Sequence, residues 1–258
     1  MAQDSKTRRA SEGVLQVVPA LDAGGVERTA VDIAIAAAKA GYRSYIASRG
    51  GRLGVEAEAA GVHLLMLPER TKGPLRIALN ARLLSSYIRD HGIALVHGRS
   101  RAPAWSAYFA ARARGAHFVT TYAGIHRENF PGKRLYNAIM ARGEIVIANS
   151  QYTADHIQKT YRTPKERVRV IPRGIDLSRF DPRAAEPARV AALRQAWGAG
   201  AQDRIVLLPA RMTRWKGQSV MVEAARILLE QGQRDLIFVL AGETAGHETY
   251  LGEVWGAA

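Results

Sequence analysis

The 258 residues contain no cysteine, which rules out disulfides, thiol nucleophiles and cysteine-ligated metals together. That absence fits a reducing compartment, and the expected location is the cytoplasm. No two histidines have the spacing of metal ligands, so no metal and no other cofactor is expected. Long apolar runs are missing too. The most apolar helical stretch, Ala30–Ala40, is interrupted by Asp32 and Lys39 and is far too short to span a bilayer. Residues 1–13 are polar and basic, lack the apolar segment of a secretory signal, and read as a flexible tail. Neither a Gly-x-Gly-x-x-Gly fingerprint nor a P-loop Gly-Lys-Ser/Thr is present.

What the chain does have is positive charge: 37 Lys and Arg against 23 Asp and Glu, a net +14. Nucleic acid, an anionic membrane surface or a small polyanionic substrate would each answer it. The basic residues form no run and sit at loops and helix ends: Arg99, Arg101, Arg127, Lys133, Arg134, Arg211, Arg214 and Lys216. No zinc-finger, homeodomain or RRM signature accompanies them, so no nucleic-acid partner is expected.

The dominant rhythm is short apolar runs alternating with amphipathic stretches. Strands are expected at Val14–Pro19, Ser44–Ala47, His63–Leu67, Ala94–His97, Phe118–Thr121, Ile145–Ala148, Val168–Ile171, Ile205–Pro209 and Leu236–Ala241. Nearly continuous apolar strands are those of a parallel sheet covered on both faces. Helices are expected at Val26–Ala40, Pro74–His91, Ala102–Ala113, Lys133–Arg142, Thr153–Tyr161 and Gln218–Gln231. This alternation predicts a doubly wound α/β sheet, in which ligands bind beyond the carboxyl ends of the strands. The Pro-rich stretch from Pro172, with the helix-like Ala188–Trp197 and the break Gly198-Ala199-Gly200, reads as an interdomain connection. The expected domains are 14–187 and 188–258, the second incomplete because one βαβ unit covers too little sheet.

Three loops follow strands. Gly24-Gly25-Val26-Glu27-Arg28 opens a helix, where glycine lets a ligand approach backbone N–H groups; a plain tight turn is the other reading. Arg211-Met212-Thr213-Arg214-Trp215-Lys216-Gly217 places an Arg and a Lys before another helix, able to converge on a diphosphate or to stand as a solvated basic loop. His97-Gly98-Arg99-Ser100-Arg101 ends a strand in an imidazole followed by two guanidinium groups, which favours an anionic ligand, although a strand-end His is as often structural.

These motifs, with Ala148-Asn149-Ser150, Ile171-Pro172-Arg173-Gly174-Ile175-Asp176 and Phe180, stand in an order that resembles the large retaining GT-B glycosyltransferase family. That family includes bacterial lipopolysaccharide-core and phosphatidylinositol mannosyltransferases, and the resemblance covers Val14 to Gly242. It implies two Rossmann-like domains, the first binding the acceptor and the second a nucleotide diphosphate sugar. Arg211 and Lys216 would hold the donor diphosphate, with Gly24 and Gly25 approaching from the first domain and no metal needed. His97 would be the catalytic candidate, and Arg99, Arg101, Tyr122, Asn149, Ser150 and Arg173 would line the acceptor side or the cleft.

The implied activity is hexose transfer to a saccharide or lipid-linked acceptor in cell-envelope polysaccharide synthesis. The basic residues of the first domain are expected to serve an anionic acceptor or an anionic membrane surface, the cytoplasmic face of the inner membrane. Two departures stand out. Ala123 occupies the place of the family's histidine in Thr120-Thr121-Tyr122-Ala123-Gly124, leaving His97 or His126 to supply an imidazole. The family's two glutamates separated by seven residues are also missing; Glu223 and Glu230 are separated by six and lie within a helix. The chain is therefore expected to be an incomplete, inactive fragment of the transferase. A nucleotide-sugar epimerase-like enzyme and a non-catalytic, basic membrane-binding domain are the alternatives.

Overall fold

The computed structural model describes residues 12–22, 24–68, 73–125, 132–177 and 180–257. His126, Arg127 and most of the expected N-terminal tail lie outside the described residues. The chain divides into two units, Met1–Gly174 and Ile175–Ala258, so the division falls earlier than the expected 187.

The first unit runs β1 (Gly13–Val17), α1 (Gly25–Lys39), β2 (Arg43–Ser48), α2 (Leu53–Ala59), β3 (His63–Met66), α3 (Pro74–Asp90) and β4 (Ile93–Gly98). It continues with α4 (Arg101–Arg114), β5 (His117–Tyr122), α5 (Lys133–Asn137), β6 (Ile145–Ala148), α6 (Gln151–Tyr161) and β7 (Val168–Val170). All seven strands are parallel, in the order β3-β2-β1-β4-β5-β6-β7. The chain builds outward from β1 in one direction, then returns to the other side of β1 with β4. This reversal opens a crevice between the carboxyl ends of β1 and β4.

Side chains alternate across each strand, so the sheet buries two different layers. On one face Leu15, Val17, Val96, Phe118 and Val146 pack with Leu84 and Ile88 of α3, Ala107 and Ala111 of α4, and Ile157 of α6. The run of small residues in α4 lets that helix lie close to the sheet. On the other face Val18 and Ile46 meet Ala30, Val31 and Ala34 of α1 and Ala57 of α2. Truncating a fully buried side chain such as Leu84 to Ala in such a layer costs about 2–5 kcal/mol. Helix ends follow local chemistry: Glu27 stands in the first turn of α1 and Lys39 in its last, each complementing the helix dipole. Pro74 opens α3, where its missing N–H is harmless.

The second unit holds α7 (Pro187–Ala196), β8 (Arg204–Pro209), α8 (Gln218–Glu230), β9 (Leu236–Ala241) and α9 (Glu248–Ala257). β8 and β9 form a two-stranded parallel sheet. Met212, Tyr250 and Val254 make its core, with Val222, Leu240 and Leu251 packed against them. On β8, Val206 and Leu207 stay 38% and 44% exposed.

All nine expected strands are present, with ends shifted by at most two residues. Two helices were not expected, α2 and α9, and the second supplies Tyr250 and Val254 to the core. The expected helix Lys133–Arg142 is a short α-helix ending at Asn137, followed by a 3₁₀ turn over Ala138–Ala141.

In the second unit the two strand-end loops touch backbone to backbone. A Cβ on Gly242 would collide with the Ala210 carbonyl, which cannot swing aside as a side chain would. Gly242→Ala should therefore lower the stability of this unit by about 3 kcal/mol or more. Denaturant unfolding followed by tryptophan emission reads this, since Trp197, Trp215 and Trp255 all lie in the second unit. A midpoint equal to that of the unmodified chain would show that the two loops can part freely.

Candidate functional site

The loop after β1 is built rigidly before it reaches α1. Leu21 N donates to the Gly50 carbonyl at 2.8 Å, and Leu53 N donates to the Leu21 carbonyl at 2.8 Å. Arg49 pairs with Asp22 at 2.6 Å, and Arg52 Nε donates to the Asp22 carbonyl at 2.8 Å. Gly24 then turns the chain at φ 137°, a conformation that L side chains rarely adopt, and Glu27 Oε2 lies 2.5 Å from where its Cβ would be. Within the helix Arg28 is fully engaged, with Glu56 at 2.5 and 2.8 Å and with Asp32 at 2.8 Å. The fork to Glu56 raises its pKa above the ordinary arginine value.

Across the crevice, Arg99 N donates to the Val17 carbonyl at 3.2 Å, stitching the β4 loop to the end of β1. The Arg99 side chain is only 4% exposed, and its Nε and Nη1 have no hydrogen-bond partner among the described residues. Burial first, and repulsion from Arg173 second, push its pKa down from 12.5 to about 10, with Asp32 acting weakly in the other direction. Arg173 comes from the segment after β7 and lays Nη1 on the space that a side chain at Gly25 would fill. Arg173 is thus brought beside Gly25 and within electrostatic reach of Arg99, and all three lie in the first unit. For Gly25 the nearest neighbour in that space is the Arg173 guanidinium.

The other expected site residues of the first unit are held by neighbours within the same unit. His97 is 4% exposed, and its Nε2 meets Thr121 Oγ1 at 2.7 Å. Burial, with the charge of Arg99 adding to it, drives its pKa from 6.5 to about 3, so the imidazole is neutral and withdrawn from proton exchange with solvent. Tyr122 is fully buried, with its hydroxyl 3.2 Å from that of Tyr161. Arg101 opens α4, donates to Asn137 Oδ1 at 2.9 Å and stacks over Tyr136 at 5.7 Å, so it joins α4 to α5. Asn149 spends its amide on the Ala123 carbonyl at 3.0 Å and on the Thr153 hydroxyl at 2.9 Å. Ser150 caps α6 by accepting from Thr153 N at 3.2 Å. These last two hold the ends of β5, β6 and α6 in place.

In the second unit, Arg211 and Lys216 flank the loop between β8 and α8. Gln218, fully buried, donates Nε2 to the Arg211 carbonyl at 2.9 Å, and Met212 beneath the loop is also buried. Arg214 is held by Glu253 at 2.5 Å and lies over the Tyr250 ring at 5.2 Å. Arg211 remains exposed, and Lys216 Nζ stands 4.0 Å above the Trp215 ring. Gln218 and Glu253 went unnoticed in the sequence, because only the folded loop shows what they anchor. Glu223 and Glu230 both hold Arg226 on the surface of α8, the former at 2.7 Å.

The profile of a family described as Glycosyltransferase Family 4 matches residues 23–179. The structure resembles the crystal structure of a glycosyltransferase from Rickettsia africae, with 33% identity and a TM-score of 0.81 over 95% of this chain and 64% of that one. Anabaena HepE in complex with UDP-glucose shares the fold, at 21% identity and a TM-score of 0.76 over 95% of this chain and 65% of that one. In sequence, the chain is 25% identical over 175 residues to the D-inositol 3-phosphate glycosyltransferase of Corynebacterium urealyticum, covering 61% of this chain and 40% of that protein. The chain thus spans less than two thirds of the length of each of the three.

The buried imidazole predicts acid sensitivity. The unfolded chain takes a proton on His97 below about pH 6.5, whereas the folded one refuses it until about pH 3. Stability from this source is complete above pH 6.5 and is lost as pH falls through that window, by up to about 1.4 kcal/mol per unit. Between pH 7.5 and 5, denaturant unfolding should show His97→Gln losing about 2 kcal/mol less than the unmodified chain. Equal losses in both proteins would mean that the histidine reaches solvent.

Proposed function

We propose, from the premise that this chain belongs to Glycosyltransferase Family 4 through residues 23–179, that it serves the transfer of a hexose from a nucleotide diphosphate sugar to a saccharide or lipid-linked acceptor. The observation that carries the donor side is the loop between β8 and α8. Its backbone is fixed by Gln218, its Arg214 is already paired, and its Arg211 guanidinium stands exposed beside a helix start. Such a loop offers a diphosphate two positive charges in a frame that does not reorganise when charge develops.

In the reaction the bond from the sugar's anomeric carbon to the diphosphate oxygen breaks, and its electron pair stays on that oxygen. An acceptor hydroxyl forms the new glycosidic bond and passes its proton to the departing diphosphate. Arg211 and Lys216 stabilise the leaving charge, the role a divalent cation would otherwise fill. Departure and attack on one face of the sugar retain its configuration. Support for a role in glycan synthesis comes from one relative named a putative colanic acid biosynthesis glycosyltransferase, from Escherichia coli, 32% identical over 97 residues, which are 38% of this chain and 21% of that protein. We read this chain as working on cell-envelope polysaccharide in the same manner.

Arg211→Ala and Lys216→Ala should each weaken UDP binding to the chain roughly ten- to a hundred-fold, the value of a charge-assisted contact to phosphate. Calorimetric titration with UDP measures this. Affinity unchanged in both variants would remove the diphosphate from this loop.

The acceptor side carries an apolar groove. Pro74, Ile77, Ala81, Trp105, Phe109 and Leu135 line it, and Leu75, Leu79, Phe109 and Leu135 are well exposed around it. The three helices that frame it, α3, α4 and α5, contain a single acidic residue, Asp90, among several arginines and a lysine. We read this face as resting on an anionic lipid surface, the cytoplasmic leaflet of the inner membrane, from which a lipid-linked acceptor is reached. The basic set expected for this purpose is revised: Arg99 is buried, and Arg101 is tied to Asn137. Among the described residues no helix is long and apolar enough to cross a membrane. Each basic residue near an anionic surface adds roughly 1 kcal/mol, screened by salt. At low salt the chain should sediment with phosphatidylglycerol vesicles more strongly than with phosphatidylcholine vesicles, and Leu135→Glu should reduce this. Equal sedimentation with both lipids would end the membrane reading.

A further inference from the structure

We propose that Tyr250 of α9 is a positioning residue for the loop between β8 and α8, acting on Arg211 through the buried amide of Gln218. The proposal rests on the reading of that loop as the diphosphate site of the donor. Among the described residues of the second unit, Gln218 is the one polar side chain that is buried. A buried amide needs partners for its polar atoms. Its Nε2 donates to the Arg211 carbonyl at 2.9 Å, and its Oε1 accepts from the Tyr250 hydroxyl at 3.4 Å. The same hydroxyl lies 3.1 Å from Ser219 Oγ. With its proton given to Gln218, the Tyr250 oxygen accepts from Ser219. Donation therefore runs one way, from Ser219 through Tyr250 and Gln218 to the Arg211 carbonyl.

The backbone on either side of Arg211 is tied as well. Ala210 N donates to the Ala241 carbonyl at 2.9 Å, and Met212 N donates to the Glu243 carbonyl at 3.0 Å. The Gln218 bond is the third tie, and a side chain makes it. Together the three fix the Cα from which the exposed guanidinium extends, so less freedom is lost when an anion is bound.

The Tyr250 ring holds the other flank of the loop. It is 7% exposed and packs with Met212 and Val254, while Arg214 lies over it at 5.2 Å and pairs with Glu253 at 2.5 Å. Tyr250 and Glu253 stand three residues apart on α9, which puts them on one face of that helix. Tyr250 thus grips the loop on both sides of Lys216, at Arg214 and at Gln218.

The test is a double-mutant cycle in UDP affinity, measured by calorimetry on the full chain, with a melting temperature for each protein. Tyr250→Phe keeps the ring and its contact with Arg214, and removes only the hydroxyl. It should weaken UDP binding roughly two- to tenfold, the value of one hydrogen bond. In the Arg211→Ala background the same change should leave UDP affinity where Arg211→Ala alone puts it. Gln218→Met, of similar volume but without the amide, should weaken UDP binding at least as much as Tyr250→Phe. Adding Tyr250→Phe to it should have no further effect.

A Tyr250→Phe chain that binds UDP as tightly as the unmodified one overturns the proposal, whatever its melting temperature. Equal weakening with and without Arg211 also overturns it, since Tyr250 would then serve the core alone. In these cases a loss of UDP affinity in Arg211→Ala leaves the diphosphate reading standing. If Arg211→Ala and Lys216→Ala both leave UDP affinity unchanged, that reading falls, and the role of Tyr250 falls with it.

Discussion

The seam between β1 and β4 governs the first unit. A parallel sheet cannot turn back through a hairpin, so each strand arrives by a crossover that lays a helix on one face. Where the direction of addition reverses, the crossovers leave to opposite sides and the ends of the two strands stand uncovered between them. The Val17 carbonyl would be left facing this gap, and the Arg99 backbone N–H meets it. That single bond carries the Arg99 side chain into the crevice and decides its burial. The lowered proton affinity of His97 follows in part from the same neighbour, since Arg99 is the second cause of its shift after burial.

The two units hold positive charge in opposite ways. Several arginines of this basic chain are neutralised locally: Arg28 by Glu56 and Asp32, Arg204 by Asp235, Arg214 by Glu253, and Arg226 by Glu223 and Glu230. The second unit leaves Arg211 in water, where an exposed charge costs little and binds weakly until a ligand excludes solvent. The first unit keeps Arg99 dry, where the charge is costly to hold and its attraction for an anion is correspondingly strong. A net charge of +14 conceals this difference.

Strands were legible in the sequence because burial on both faces writes them as unbroken apolar runs, from Val14 to Ala241. Helix α2 was not, since it is seven residues long and buries only Gly54 and Ala57, which leave little periodic signal. Helix α9 was hidden by Gly252 and by Trp255, an exposed aromatic on a helix that buries Tyr250 and Val254. At the site, the positions of Gly25, Arg99 and Arg211 could be read from their places after strands. Their states could not. Whether an arginine is dry, or a histidine neutral, depends on neighbours brought from far along the chain, such as Arg173 beside Gly25 and Thr121 beside His97. For Tyr122 and Ser150 the same holds: strand-end positions are shared by groups that bind ligands and groups that close the core.

The register of the central pair joins Leu15 to Val96, residues far apart in the chain, while β1, β2 and β3 are close neighbours in sequence. During synthesis the three-stranded half is therefore complete well before β4 leaves the ribosome, and β1 waits with one edge unsatisfied. The half that follows must dock on that edge, and in doing so it carries a guanidinium into an apolar setting. Closing this join places a guanidinium where its charge is costly to hold. By linkage, an anion that bound only the folded unit beside Arg99 would favour the closed join.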